Sequence, residues 1–147
     1  MAQDRSFLAS NAQETRRLKA LAARITDAEL AQEIEGNWTV AIDFAHLAFW
    51  DRRLLAQIEY WEHHGVTDSP YNADVFNDAL LPIFLALPPR AAVQLAVESA
   101  GLVDQKLESL PDELLAAVRS LPNPPNLDRG RHRREHLAQL ERIGIQV

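Results

Sequence analysis

The chain has 147 residues, of which 47% are hydrophobic and 24% charged, with a net charge of −6 and no cysteine. That is enough for one folded domain with its own core, spanning residues 1–147. It excludes disulfides, thiolate metal ligands and catalysis by a thiol of the protein, and it argues against nucleic-acid binding through phosphate neutralisation. No apolar run is long enough to span a bilayer, and Gln3, Asp4 and Arg5 do not open a secretory signal. A cytoplasmic location without membrane attachment is the expectation.

In chain order the sequence reads as helix after helix, with scarce Gly, abundant Ala and Leu, and no alternating apolar–polar runs of strand type. The first helix is expected from Asp4 to about Arg24, with Phe7, Leu8, Leu18, Leu21 and Ala22 on its apolar face. Thr26 and Asp27 cap a short segment to Glu33, with Glu29 in its first turn, and Gly36-Asn37 breaks it. The second helix opens near Trp38-Thr39 and runs to His63, with Gly65 as its stop. At 100° per residue Val40, Phe44, Leu47, Leu54, Leu55, Ile58 and Trp61 form one apolar stripe, and Arg52, Ala56 and Glu59 fall opposite.

A polar loop, Thr67 to Asn72, leads into a short helix from Asp74 to Leu87. Pro89 starts a third long helix reaching Leu110, and another short helix covers Asp112 to Leu121. The segment Pro122-Asn123-Pro124-Pro125-Asn126 is a connector. The last helix runs from its cap Asp128 to Ile143, before Gly144. The predicted fold is all-α, a four-helix bundle with short additional helices in the connections. A solenoid is the alternative, disfavoured because no fixed repeat appears.

Of five histidines, His132 and His136 stand four residues apart on the last helix, so both leave the same face one turn apart, a spacing that suits two imidazoles on one metal. They share the arc of Leu140 and Ile143, where apolar side chains are expected. Imidazoles turned into a bundle need a hydrogen bond or a metal, and both readings stand at this point. His46 lies at the margin of the second helix's stripe, on the side of Asp43, Trp50 and Arg53. Asp43 and Asp51 fall in or beside the apolar arc, unusual for carboxylates. Asp51 is expected to pair with an arginine from a neighbouring helix. Asp43 is either such a pair or a carboxylate supporting a metal-bound histidine or acting as a base. Arg129 and Arg133 are candidate contacts for a ligand carboxylate, or solvated charges at the bundle rim. His63 and His64 read as a solvated helix end. Trp38, Trp50 and Trp61 read as packing.

The stretch Trp38-Thr39-Val40-Ala41-Ile42-Asp43-Phe44-Ala45-His46-Leu47 resembles the second-helix signature of the DinB/YfiT-like superfamily, and Arg131-His132-Arg133-Arg134-Glu135-His136 resembles its last-helix His-x-x-x-His motif. Order and separation match as well. The resemblance implies a four-helix bundle in which His46, His132 and His136 hold one divalent metal ion, zinc or nickel. Relatives include transferases and isomerases that use low-molecular-weight thiols such as mycothiol or bacillithiol, and hydrolases. Larger relatives carry an extra C-terminal domain, which is not expected here.

A metal held by three histidines keeps coordination positions open for a water, a thiol or a small-molecule substrate. The expected function is a metal-dependent enzyme, a thiol-dependent S-transferase or a hydrolase. The alternative is a metal-binding or structural bundle without catalysis. A homodimer is a further expectation. Arg129, Arg131, Arg133 and Arg134 do not make a nucleic-acid surface in so acidic a chain.

Overall fold

The computed structural model describes residues 2–147. The chain runs α1 (Phe7–Arg24), α2 (Asp27–Leu30), β1 (Glu33–Glu35), β2 (Trp38–Thr39), α3 (Val40–His64), α4 (Ala73–Ala86), α5 (Pro89–Glu108), α6 (Asp112–Arg119) and α7 (Arg129–Arg142).

Local chemistry sets most of these boundaries. The Thr39 hydroxyl accepts from the Ile42 amide at the head of α3, and Gly65 ends that helix at a φ of 85°. The Asp128 side chain accepts from the Arg131 amide and opens α7. Asn72 caps α4, and Thr26 and Glu29 form a reciprocal capping box on α2. Helix α1 starts three residues later than Asp4, whose carboxylate instead accepts from the Ser6 amide and hydroxyl.

The fold is mostly helical, as expected, with one short addition: Glu33–Glu35 and Trp38–Thr39 pair as a two-stranded antiparallel hairpin. Helix α2 stops at Leu30 rather than Glu33. Gly36, at a φ of 55°, takes the left-handed conformation that turns the chain between the strands. Strands this short carry no readable alternation.

Helices α1, α3, α5 and α7 pack as a bundle. Helix α3 lies along α5, α5 touches α1, α1 lies along α7, and α7 returns to α3. The first and last helices are therefore neighbours, which a solenoid does not allow. The α3 stripe is buried as its periodicity requires, with only Leu55 half-exposed.

The interior holds two apolar clusters. One gathers Leu18 and Leu21 of α1, Val40 to Ala48 of α3, Ala92 to Ala100 of α5, and Leu137 and Leu140 of α7. The other gathers Phe7, Leu54, Ile58, Trp61, Val103 and Leu107 with Leu115 and Val118 of α6. Each fully buried side chain of this kind contributes about 1.5–3 kcal/mol. Between the clusters lies a belt of buried polar groups: Asn11, Glu14, Thr15, Asp51, Arg129 and Arg133.

Helix α4 buries only Phe84 and leaves Val75, Ile83 and Leu85 exposed. Among the described residues no helix is long and apolar enough to cross a membrane.

Candidate metal centre

Helices α3 and α7 build the site. Gly130 lets the first turn of α7 lie close against α1, because a Cβ there would fall 2.5 Å from the Ser10 carbonyl oxygen. Its amide instead donates to Asn11 Oδ1 at 2.8 Å, which seats the first turn of α7. His132 and His136 then project toward His46 of α3.

The three imidazoles converge. His46 Nε2 lies 3.3 Å from His132 Nε2, and each ring offers a nitrogen within 4.8 Å of the others. His46 is 6% exposed and lies edge-on to Trp38 and Trp50. No other cluster of three or more His, Asp or Glu suited to a cation occurs among the described residues.

The donor set fits a divalent metal. Around a tetrahedral ion with metal–nitrogen bonds of about 2.0–2.1 Å, ligand nitrogens lie about 3.3 Å apart, which is the His46–His132 separation. Ligation needs neutral imidazoles. Burial, with the neighbouring His136, holds His46 down to about 4. Burial, with the Arg129 guanidinium, holds His132 down to about 2.

Asp43 orients the third ring. Its Oδ1 accepts from His136 Nδ1 at 2.8 Å and from Trp38 Nε1 at 3.0 Å. The carboxylate is buried and its Oδ2 has no partner. Holding the ring hydrogen at Nδ1 leaves the Nε2 lone pair for a metal. His46 Nδ1 is likewise buried without a hydrogen bond.

Arg129 bears on the fit. Its Nη2 lies 2.9 Å from His132 Nδ1. A guanidinium only donates, so Nδ1 accepts, and the hydrogen of the neutral ring sits on Nε2, facing His46. Ligation through Nε2 therefore requires that hydrogen to move to Nδ1 and the Arg129 contact to be given up.

Below the imidazoles, Asp51 accepts from Arg129 Nε at 2.8 Å and from Arg133 Nη2 at 3.0 Å. Arg133 also donates to Asp104 at 2.9 Å and Thr15 at 2.8 Å. Burial alone would lower the Arg133 pKa, but Asp51 and Asp104 outweigh it and raise it. The expected pairing of Asp51 with an arginine from another helix is what the fold contains.

Neither Arg129 nor Arg133 is a solvated rim charge. Arg133 is fully buried on the protein's own carboxylates and lines none of the clefts beside the imidazoles, whereas Arg129 is 8% exposed and borders one. The partners explain this: Asp51 draws both guanidiniums inward, and Asp104 adds to the hold on Arg133. Arg131 and Arg134 stay exposed, on Glu135 and Glu14. His63 and His64 are exposed at the end of α3, where His64 stacks on Tyr60.

Two clefts reach the imidazoles. One, of about 320 Å³, is bordered by His46, Trp50, Tyr71, Asn77, Arg129 and His132. The other, of about 640 Å³, is bordered by Trp38, His46, Asn77, His136 and Gln139. Asn77 lies on both and accepts from Trp50 Nε1 at 3.1 Å. Sequence reasoning missed Asn77 and Tyr71, because both come from the α4 region, where no periodic pattern marks an inward polar residue.

In comparison with known proteins, the chain matches the family model described as the DinB superfamily over residues 11–141. No curated protein and no solved structure matches the chain.

Proposed function

The chain belongs to the DinB superfamily, and from that premise we propose that it is a metal-dependent enzyme whose ion is held by His46, His132 and His136. One observation carries the reading: three imidazoles, two of them kept neutral by burial, converge on open clefts while a buried carboxylate orients the third. The three-histidine set suits zinc or nickel. When bound, such an ion lowers the pKa of a water or thiol and supplies a nucleophile at neutral pH. The proposed reactions are S-transfer with a low-molecular-weight thiol, or hydrolysis, on a small-molecule substrate. The thiol comes from outside, since the chain has no cysteine.

The chain's own residues have definite parts in this reading. Asp43 keeps the His136 hydrogen at Nδ1. Trp38 holds Asp43 in turn. Arg129 borders the cleft and presents positive charge to an anionic substrate group. Arg133 is not assigned a ligand contact, because Asp51 and Asp104 occupy its fork. The four packed helices α1, α3, α5 and α7 are read as a four-helix bundle. The exposed apolar side of α4 is the face proposed for a homodimer.

A second reading, a metal-binding bundle without catalysis, is favoured by one observation. Asp43 is the carboxylate at the centre, and it is 1% exposed and engaged by two donors. It is poorly placed to take a proton from a substrate. A thiol-transfer and ester-hydrolysis screen of the zinc- and nickel-loaded protein separates the two. Turnover that disappears in His46→Ala supports the enzyme. Metal bound at full occupancy without turnover on any thiol or ester supports the second reading.

A further inference from the structure

We propose that the cavity on the far side of Tyr71 from the imidazoles binds the carboxylate end of an elongated ligand whose other end reaches the three-histidine centre. This rests on the reading of that centre as a substrate site. The cavity measures about 290 Å³ and is walled by Arg53, Gln57, Trp61, Tyr71, Asn123 and prolines of the 122–126 connector.

Arg53 is the reason to assign an anion. It is half-buried, with its guanidinium carbon 4.0 Å from the Tyr71 ring centroid. Its Nη2 donates to the Ser69 carbonyl at 3.3 Å. The rest of its donor fork has no protein partner among the described residues, and no carboxylate pairs with it. Its neighbour Arg52 shows the contrast, bonded to Ser99 and Glu98. A cation in a concave site without a counter-ion is poised for a ligand anion, and a guanidinium fork matches a carboxylate. Gln57 adds an amide. The Asn123 amide is committed to Asp68 at 3.0 Å.

Continuity links this cavity to the imidazoles. Tyr71 and Ala73 line both it and the cleft of His46, His132 and Arg129. Tyr71 is held from three sides, by Arg53, by Trp50 at 5.1 Å and by Phe76 at 5.9 Å between ring centroids. The ring, 47% exposed, forms the partition over which a chain can pass. Trp61 and the prolines give that chain an apolar wall, and Arg53 terminates it. The ligand class is a small molecule with a reactive end, an apolar middle and a terminal carboxylate. Either the thiol or its acceptor can carry that carboxylate.

Two arms test this on the full chain. In the first, hexanoate is titrated with no metal added, and NMR follows Trp61 Nε1–H and Arg53 Nε–H. Saturable shifts at both are expected, lost in Arg53→Gln and partly kept in Arg53→Lys. Absent shifts, or equal binding in Arg53→Gln, overturn the anion subsite. This arm reads independently of the metal.

In the second arm, the cobalt-loaded protein is titrated with mercaptohexanoate and with hexanethiol, followed by its visible spectrum. The carboxylate is expected to tighten binding about tenfold or more, an advantage that Arg53→Gln removes. Hexanoate that weakens the binding of mercaptohexanoate but not of hexanethiol supports the same carboxylate contact. Equal affinities for the two thiols, with no effect of hexanoate, overturn the link between the cavities. Failure of cobalt to bind overturns the metal reading alone, since the first arm still decides the subsite.

Discussion

Arg129 donates to the Nδ1 atom of His132 across 2.9 Å, while its Nε holds Asp51 at 2.8 Å. One guanidinium therefore stabilises the polar belt and keeps the His132 ring hydrogen on the nitrogen that a metal needs. The two roles pull in opposite directions. In Arg129→Gln the side-chain carbonyl can accept from His132 Nδ1–H, and a positive charge beside the ion is gone. Zinc affinity is predicted to rise about tenfold. Stability is predicted to fall by about 1–3 kcal/mol, as Asp51 loses a donor. Competition against a chromophoric chelator and a urea melt read the two; affinity that falls together with stability contradicts the assignment.

Asp43 acts on the opposite side of the site. Asp43→Ala removes the acceptor for His136 Nδ1 and for Trp38 Nε1. Zinc affinity is predicted to drop about 10–100-fold, the usual effect of losing the partner behind a ligating histidine. Asp43→Asn, which keeps one acceptor oxygen, should lose less. Affinity unchanged in both variants would remove Asp43 from the site.

Asp51 bears on stability rather than on ligation. It is 1% exposed and faces two arginines that are themselves buried. Asp51→Ala leaves those charges without one of their carboxylates, and the predicted cost is about 3–5 kcal/mol in chemical unfolding. A loss below about 1 kcal/mol would show that Asp104 and water compensate.

The buried imidazoles also set a pH dependence. His46 and His132 are held below the ordinary value of 6.5, at about 4 and about 2. The unfolded chain binds more protons than the folded one below that ordinary value, so stability falls as pH drops. The contribution is intact above the unfolded pKa and is lost progressively from there down to about 4 for His46. At about pH 5 the loss from His46 alone is about 2 kcal/mol. Urea melts of the metal-free protein between neutral pH and about pH 5 should show this decline, and His46→Ala should shallow it.

Much of this arrangement is legible in local signals. Thr39, Gly65 and Asp128 bound their helices by capping chemistry that a few residues encode. The α3 stripe is buried because its spacing follows the helical period. His132 and His136 share a face for the same reason. Their meeting with His46 came from the matched motif pair, since the contact crosses 86 positions of sequence. The inward turn of Arg133 was not legible, because it depends on Asp51 and Asp104, 82 and 29 positions away. The β1–β2 hairpin was missed because its strands are too short to show a period. Asn77, Tyr71 and Arg53 gain meaning only when α4 and its preceding loop fold over α3.

The most direct test of the central claim is metal stoichiometry. The protein, purified without an affinity tag of histidines, is loaded with zinc, dialysed and analysed by mass spectrometry for metal and protein. One zinc per chain is predicted, falling to trace levels in His46→Ala, His132→Ala and His136→Ala while each variant stays folded by circular dichroism. Zinc that washes out of the parent protein, or that stays bound when any of the three imidazoles is removed, would contradict a site built on His46, His132 and His136.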